Sequence, residues 1–132
     1  MTPILLDTCA ALWLANGSPL ADGALEALEA CDGIHISPAS AWELGQLTSR
    51  RRLSLSMDTG VWWDVLVEAG VQVATMDAAI LIASSMLPGA QIRDPVDRII
   101  VATARNRGFR IMTRDRPILT YAAAGHVQAI AC

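Results

Sequence analysis

Apolar and polar positions along this chain change period every few residues. Residues 3–6 form a continuous apolar run that ends at Asp7. Thr8–Ala15 follows with helical character and stops near Asn16-Gly17. In residues 19–30, Leu20, Ala24, Leu25 and Leu28 fall on one side and Glu26 and Glu29 on the other, as in an amphipathic helix. Ile34–Ile36 reads as a second short strand. Ser37-Pro38 opens a helix that runs to about Ser49, with serine as cap and proline at its first position.

Residues 59–69 are again helical, and Val71-Gln72-Val73 reads as a third strand. An apolar helix over residues 77–86 ends at the break Leu87-Pro88-Gly89. Asp94 opens a helix that runs to Arg107, where Gly108 supplies the stop. Residues 109–112 form a fourth strand, residues 117–123 a short helix, and residues 127–130 a fifth strand at the sheet edge. Such alternation predicts an α/β fold, with a parallel sheet covered by helices on both faces. The 132 residues suit one domain, residues 1–132.

Composition narrows the class. Hydrophobic residues make up 53% and charged ones 17%, so a folded core is expected rather than disorder. No apolar run approaches the ~18 residues of a membrane span. The opening MTPILLDTCA lacks the basic region of a signal peptide. Cys9, Cys31 and Cys132 are far apart and match no zinc spacing, which predicts reduced thiols and a cytoplasmic protein. Cys9 is expected to be a small core residue rather than a nucleophile, because no basic neighbour in sequence lowers its pKa. His35 and His126 are isolated and are assigned structural or surface roles.

The net charge of −3 argues weakly against a nucleic-acid partner, but all ten basic residues are arginine. Three form Arg50-Arg51-Arg52, and seven lie between Arg93 and Arg116. The pattern fits either solvated surface or a basic border around an acidic site.

The acids are more informative. In open parallel sheets, sites form beyond the carboxyl ends of the strands. Asp7 ends the first strand and Asp115 follows the fourth, with Thr8 and Thr113 close by. Each acid could simply cap the next helix; if the two strands are neighbours, both carboxylates converge. Asp94 accounts for the cap of its helix, worth about 1 kcal/mol. Asp97, one turn in and beside the face carrying Ile99, Ile100, Thr103 and Ala104, is then spare, although a capping box would also explain it. Glu43 lies among Ala41, Trp42, Leu44 and Gly45, where an unpaired carboxylate costs free energy. Four carboxylates in one place repel each other, and a hard divalent cation such as Mg²⁺ is the natural counter-ion.

Four segments in order, LLDTCAALW, SPASAWELGQL, RDPVDRIIVATA and IMTRDRPIL, resemble the PIN-domain ribonucleases, and above all the VapC-like toxins of bacterial type II toxin–antitoxin systems. The resemblance implies a three-layer α/β/α sandwich with strand order 3-2-1-4-5. It implies an Mg²⁺- or Mn²⁺-dependent endoribonuclease with Asp7, Glu43, Asp97 and Asp115 as catalytic and metal residues and Asp94 and Thr113 as accessories. RNA, a cognate antitoxin and a second copy of the chain are the implied partners. Arg93, Arg98, Arg114 and Arg116 are candidate phosphate contacts, or ion-pair partners of the acids. Two departures stand out: Ile92 replaces a frequent histidine, and Arg51-Arg52-Leu53 replaces a frequent Gly-Arg-Leu.

Leu12, Trp13, Leu14, Trp62 and Trp63 fit either core packing or a partner groove. A catalytically silent or housekeeping module that binds RNA or protein is the alternative to a toxin. GxGxxG, GxxxxGK[ST] and the DxDx[TV] motif of haloacid-dehalogenase-type phosphatases are absent, which excludes dinucleotide-binding, P-loop and that phosphatase chemistry.

Overall fold

A computed structural model describes residues 2–89 and 91–132. The elements run β1 (Ile4–Leu6), α1 (Thr8–Ala15), α2 (Asp22–Ala30), β2 (Ile34–Ile36), α3 (Pro38–Ser49) and α4 (Thr59–Glu68). They continue with β3 (Gln72–Val73), α5 (Ala78–Ser85), α6 (Pro95–Arg107), β4 (Arg110–Thr113), α7 (Arg116–Ala123) and β5 (Gln128–Ala131). The five strands form one parallel sheet in the order β3-β2-β1-β4-β5, as expected. Among the described residues no helix is long and apolar enough to cross a membrane.

Alternation within the strands explains the three layers. Ile4, Leu6, Ile36, Met112 and Ile130 point to one face and pack with Ala10, Ala11, Ala24, Leu44, Trp62 and Leu66 of α1 to α4. Leu5 and Ile111 point to the other and pack with Val96, Ile100, Val101, Ala104, Ile118 and Tyr121 of α6 and α7. A central strand buried on both faces is a continuous apolar run, which is why β1 reads ILL. Helix α5 packs mainly against α6.

The second helix begins at Asp22 and not near Pro19. Residues 19–21 are held in extended form instead: the Pro19 carbonyl accepts from Arg114 and the Ala21 N–H donates to the Cys132 carbonyl. Strands β4 and β5 each lie one residue later than the apolar pattern suggests, because Phe109 and Val127 are the residues that lead into them. Arg51 adopts φ +57°, a left-handed conformation that glycine takes at no steric cost. The departure at that position is therefore a backbone matter.

Candidate active site

The site is built where β1 and β4 end side by side. Leu6 pairs with Met112, and the Asp7 N–H donates to the Met112 carbonyl at 3.2 Å. That register sets Asp7 beside Thr113. The Thr113 hydroxyl donates to Asp7 Oδ2 and accepts the Asp115 N–H at 2.9 Å. Asp7 Oδ1 accepts the Ala10 N–H at 2.7 Å and so caps α1, while Asp115 Oδ2 accepts the Ile118 N–H at 3.1 Å and caps α7. Capping and convergence, opposed as readings of the sequence, hold together.

Two helices deliver the remaining acids. Asp94 Oδ1 accepts the Asp97 N–H at 3.0 Å, so Asp94 is the cap of α6 and stays exposed. Asp97 stands in the first turn, where the helix dipole favours a carboxylate. Glu43 comes from α3. Its helix is tied to α1 by Thr8 Oγ1, which donates to the buried Ser40 Oγ at 2.9 Å. One turn beyond Ser40 lies Glu43. Asp7, Glu43, Asp97 and Asp115 line one cavity of about 280 Å³ with Thr8, Cys9, Trp13 and Arg114.

Burial and mutual repulsion show in the acidities. Desolvation raises the Asp7 pKa, opposed by its Thr113 and Ala10 hydrogen bonds and reinforced by Asp115 and Glu43. Asp97 is pushed up to about 8, first by desolvation and then by Asp94, Asp115, Glu43 and Asp7. A pocket of this kind holds surplus negative charge and takes up protons or cations. Among the described residues no three of these side chains form a ready-made cage for an ion. The donor set still suits a hydrated Mg²⁺, which keeps several waters and takes only one or two carboxylates directly. The oxygen donors, the repulsion and the shared cavity are the grounds for that fit.

Cys9 is exposed and lines the acid pocket, which corrects the expectation of a core position. It sits on the first turn of α1. Its thiol is pushed up to about 11 by desolvation and by the carboxylates of Asp7, Glu43, Asp97 and Asp115, so it is a poor nucleophile.

The candidate arginines separate. Arg98 Nε donates to the Ser84 carbonyl at 2.7 Å and Nη1 to the Ile92 carbonyl at 2.6 Å. Its guanidinium clamps α5 to the start of α6, a geometry that fits neither a phosphate contact nor an ion pair. Ile92 is buried in the core, which accounts for an apolar residue there. Arg93 and Arg116 are exposed beside the caps of α6 and α7. Arg114 lines the acid pocket, with Cζ 3.9 Å from the Trp13 ring centroid.

Of the apolar residues with two readings, Trp62 is buried in the core and Leu12, Leu14 and Trp63 pack against it. Leu12, Trp13 and Trp62 also line a 420 Å³ cavity with Leu53 and Leu55. Sequence reasoning gave no role to Ser40, and none to Trp13 at the acid pocket; no spacing signal in the chain marks either. A cavity of about 610 Å³ lies at the opposite end of the sheet by Arg105, Phe109 and His126, away from every strand carboxyl end. There His35 stacks on Phe109, and His126 leans against Tyr121, each at 4.6 Å.

Residues 4–123 match the family model described as PIN domain. Over 122 residues the chain is 31% identical to Ribonuclease VapC22 of Mycobacterium tuberculosis (strain ATCC 25618 / H37Rv), covering 92% of this chain and 93% of that one. The fold is similar to that in VapBC2 from Rickettsia felis bound to a DNA fragment from their promoter, with TM-score 0.70, 15% identity and 98% of each chain covered. It is also similar to that in DNA-bound VapBC from Salmonella typhimurium, with TM-score 0.62, 17% identity and coverage of 99% and 98%.

Proposed function

The chain belongs to the PIN-domain family, and we propose that it is a divalent-metal-dependent endoribonuclease, the toxin of a type II toxin–antitoxin pair acting in the cytoplasm. One observation carries this reading: four carboxylates from four separate places in the chain line one cavity at the ends of β1 and β4. Similarity to a VapC ribonuclease over nearly the whole chain supports it.

In this reading Asp7, Asp97 and Asp115 hold the cation, directly or through water. Bound Mg²⁺ or Mn²⁺ supplies counter-charge for the pocket and Lewis acidity toward a phosphodiester. Glu43 completes the set by orienting the attacking water and taking its proton. Water adds to phosphorus, the ester P–O bond opposite it breaks, and the leaving oxygen takes a proton from solvent water. Thr113 orients Asp7 through its hydroxyl, and Asp94 fixes the turn that aims Asp97. Arg114 in the pocket wall and the exposed Arg93 and Arg116 beside the caps of α6 and α7 serve as phosphate contacts, while Arg98 keeps the α5–α6 corner in place.

The partner assigned to the mixed polar and apolar cavity beside the pocket is a cognate antitoxin, consistent with the VapBC assemblies that share this fold. The partner assigned to α5 is a second copy of the chain, since Ile82 of that helix and its cap residue Met86 are 62% and 75% exposed.

The test is cleavage of RNA by chelator-treated protein with and without added Mg²⁺. Activity should return with the metal and be lost in Asp7→Asn and Asp97→Asn. Full cleavage by both variants, or in chelator, contradicts the metal site. Expression should arrest growth and a co-expressed antitoxin relieve it; unaffected growth of cells making active enzyme favours a housekeeping nuclease.

A further inference from the structure

We propose that Trp13 is a positioning residue that holds Arg114 off the carboxylates, keeping the pocket open to a cation while its guanidinium faces the rim. The inference rests on the reading of the pocket as a metal-dependent nuclease site.

Arg114 lies between Thr113 and Asp115, so its backbone is at the centre of the acid cluster. Its side chain lines the same cavity as Asp7, Glu43, Asp97 and Asp115. Arginine stays charged at any working pH, and near a protein surface its attraction to a carboxylate is about fourfold stronger than in bulk water. Left to that field, the guanidinium would fall among the acids and occupy the place of the ion.

Three contacts hold it elsewhere, one of them a hydrogen bond with the Cys132 side chain. Its Cζ lies 3.9 Å from the centroid of the Trp13 ring, and Nη2 donates to the Pro19 carbonyl at 2.9 Å. Trp13 is suited to this role because it lines both the acid pocket and the neighbouring 420 Å³ cavity. Its helix neighbours Leu12 and Leu14 pack against the core. The ring is carried on α1, the helix that Asp7 caps, so one element sets both an acid and the restraint on the competing arginine. The carbonyl that takes Nη2 is available because residues 19–21 are extended and not helical.

The experiment titrates Mn²⁺ into the purified chain, with free Mn²⁺ read by electron paramagnetic resonance. Trp13→Met keeps apolar bulk without a ring, Trp13→Tyr keeps a ring, and Trp13→Met/Arg114→Gln removes the competitor. Each variant is first checked for a cooperative melt, and Trp13→Leu takes the place of Trp13→Met if the latter fails. Loss of the ring should weaken Mn²⁺ binding roughly 2- to 5-fold, the loss expected for a cation–π contact at an exposed arginine. Trp13→Tyr should stay near wild type, and Arg114→Gln in the Trp13→Met background should restore binding. In cleavage assays the double variant should recover its Mg²⁺ requirement but keep a raised KM for RNA. Unchanged Mn²⁺ binding in folded Trp13→Met overturns the inference, and so does weakening that persists when Arg114 is also replaced. A wild type that takes up no Mn²⁺ overturns it as well. The expected Mn²⁺ pattern in a protein that cuts no RNA upholds the positioning role and sinks the nuclease reading alone.

Discussion

The Thr113 hydroxyl donates to Asp7 Oδ2 and in the same position accepts the Asp115 N–H. A buried side chain at the end of β4 thereby couples two acids from opposite ends of the chain. Its bond to Asp7 opposes the rise in that carboxyl's pKa caused by burial.

Thr113→Val keeps the shape and removes the hydroxyl. It should cost about 1–3 kcal/mol, because Asp7 Oδ2 and the Asp115 N–H lose their buried partner. Asp7 should then ionise at higher pH, moving the acid limb of the cleavage profile upward. Thr113→Ser should restore both. Chemical denaturation and a pH–rate profile read the two effects, and an unmoved acid limb would separate Thr113 from the site.

Asp97 makes the metal-free protein sensitive to alkali. Its folded pKa of about 8 lies above the 3.8 of an ordinary aspartate, so the folded state holds the proton more tightly than the unfolded chain. That stabilising contribution is complete below pH ~4 and is lost as pH rises through about 8. Without metal, the melting temperature should fall between pH 5 and 9. Asp97→Asn should flatten that fall and melt several degrees higher at pH 9, while losing cleavage at least ~100-fold. Parallel melting curves of wild type and variant across that range would contradict the assignment.

Asp94 has two effects that substitution can part. Asp94→Asn keeps an oxygen for the Asp97 N–H but removes the charge that helps raise Asp97. It should leave stability within about 0.5 kcal/mol and shift the acid limb to lower pH. Asp94→Ala should shift the limb likewise and cost about 1 kcal/mol more, through loss of the cap. Equal melting temperatures for the two variants would deny the cap its role.

Arg51 has φ +57°, where a side chain is strained. Arg51→Gly should raise stability by about 0.5–1 kcal/mol, seen as a higher melting temperature with cleavage unchanged. A lower melting temperature would mean that the Arg51 side chain contributes more than its backbone costs.

Most of this architecture was legible because local rules and the fold agree. Pro38 and Pro95 mark the starts of α3 and α6, and Gly108 closes α6 in the left-handed conformation at φ 72°. Asp7, Glu43, Asp97 and Asp115 could be singled out because each was an acid at a strand end or beside an apolar face. What stayed hidden depends on contacts distant in sequence. The unwound residues 19–21 answer to Arg114 and Cys132, and Cys9 faces the pocket because α1 has its apolar positions elsewhere. Arg98 and Arg114 look alike as sequence, yet one binds two carbonyls and the other a tryptophan ring.

The strand order carries a lesson about timing. β1 is made before the other four strands, but its neighbour β4 is the fourth of the five in chain order. A nascent chain displays Asp7 and Glu43 long before it can offer Asp97, Thr113 or Asp115. Contacts this distant along the chain form late in folding. In the proposed reading of these acids, the site is complete only once β4 has been made and has docked beside β1.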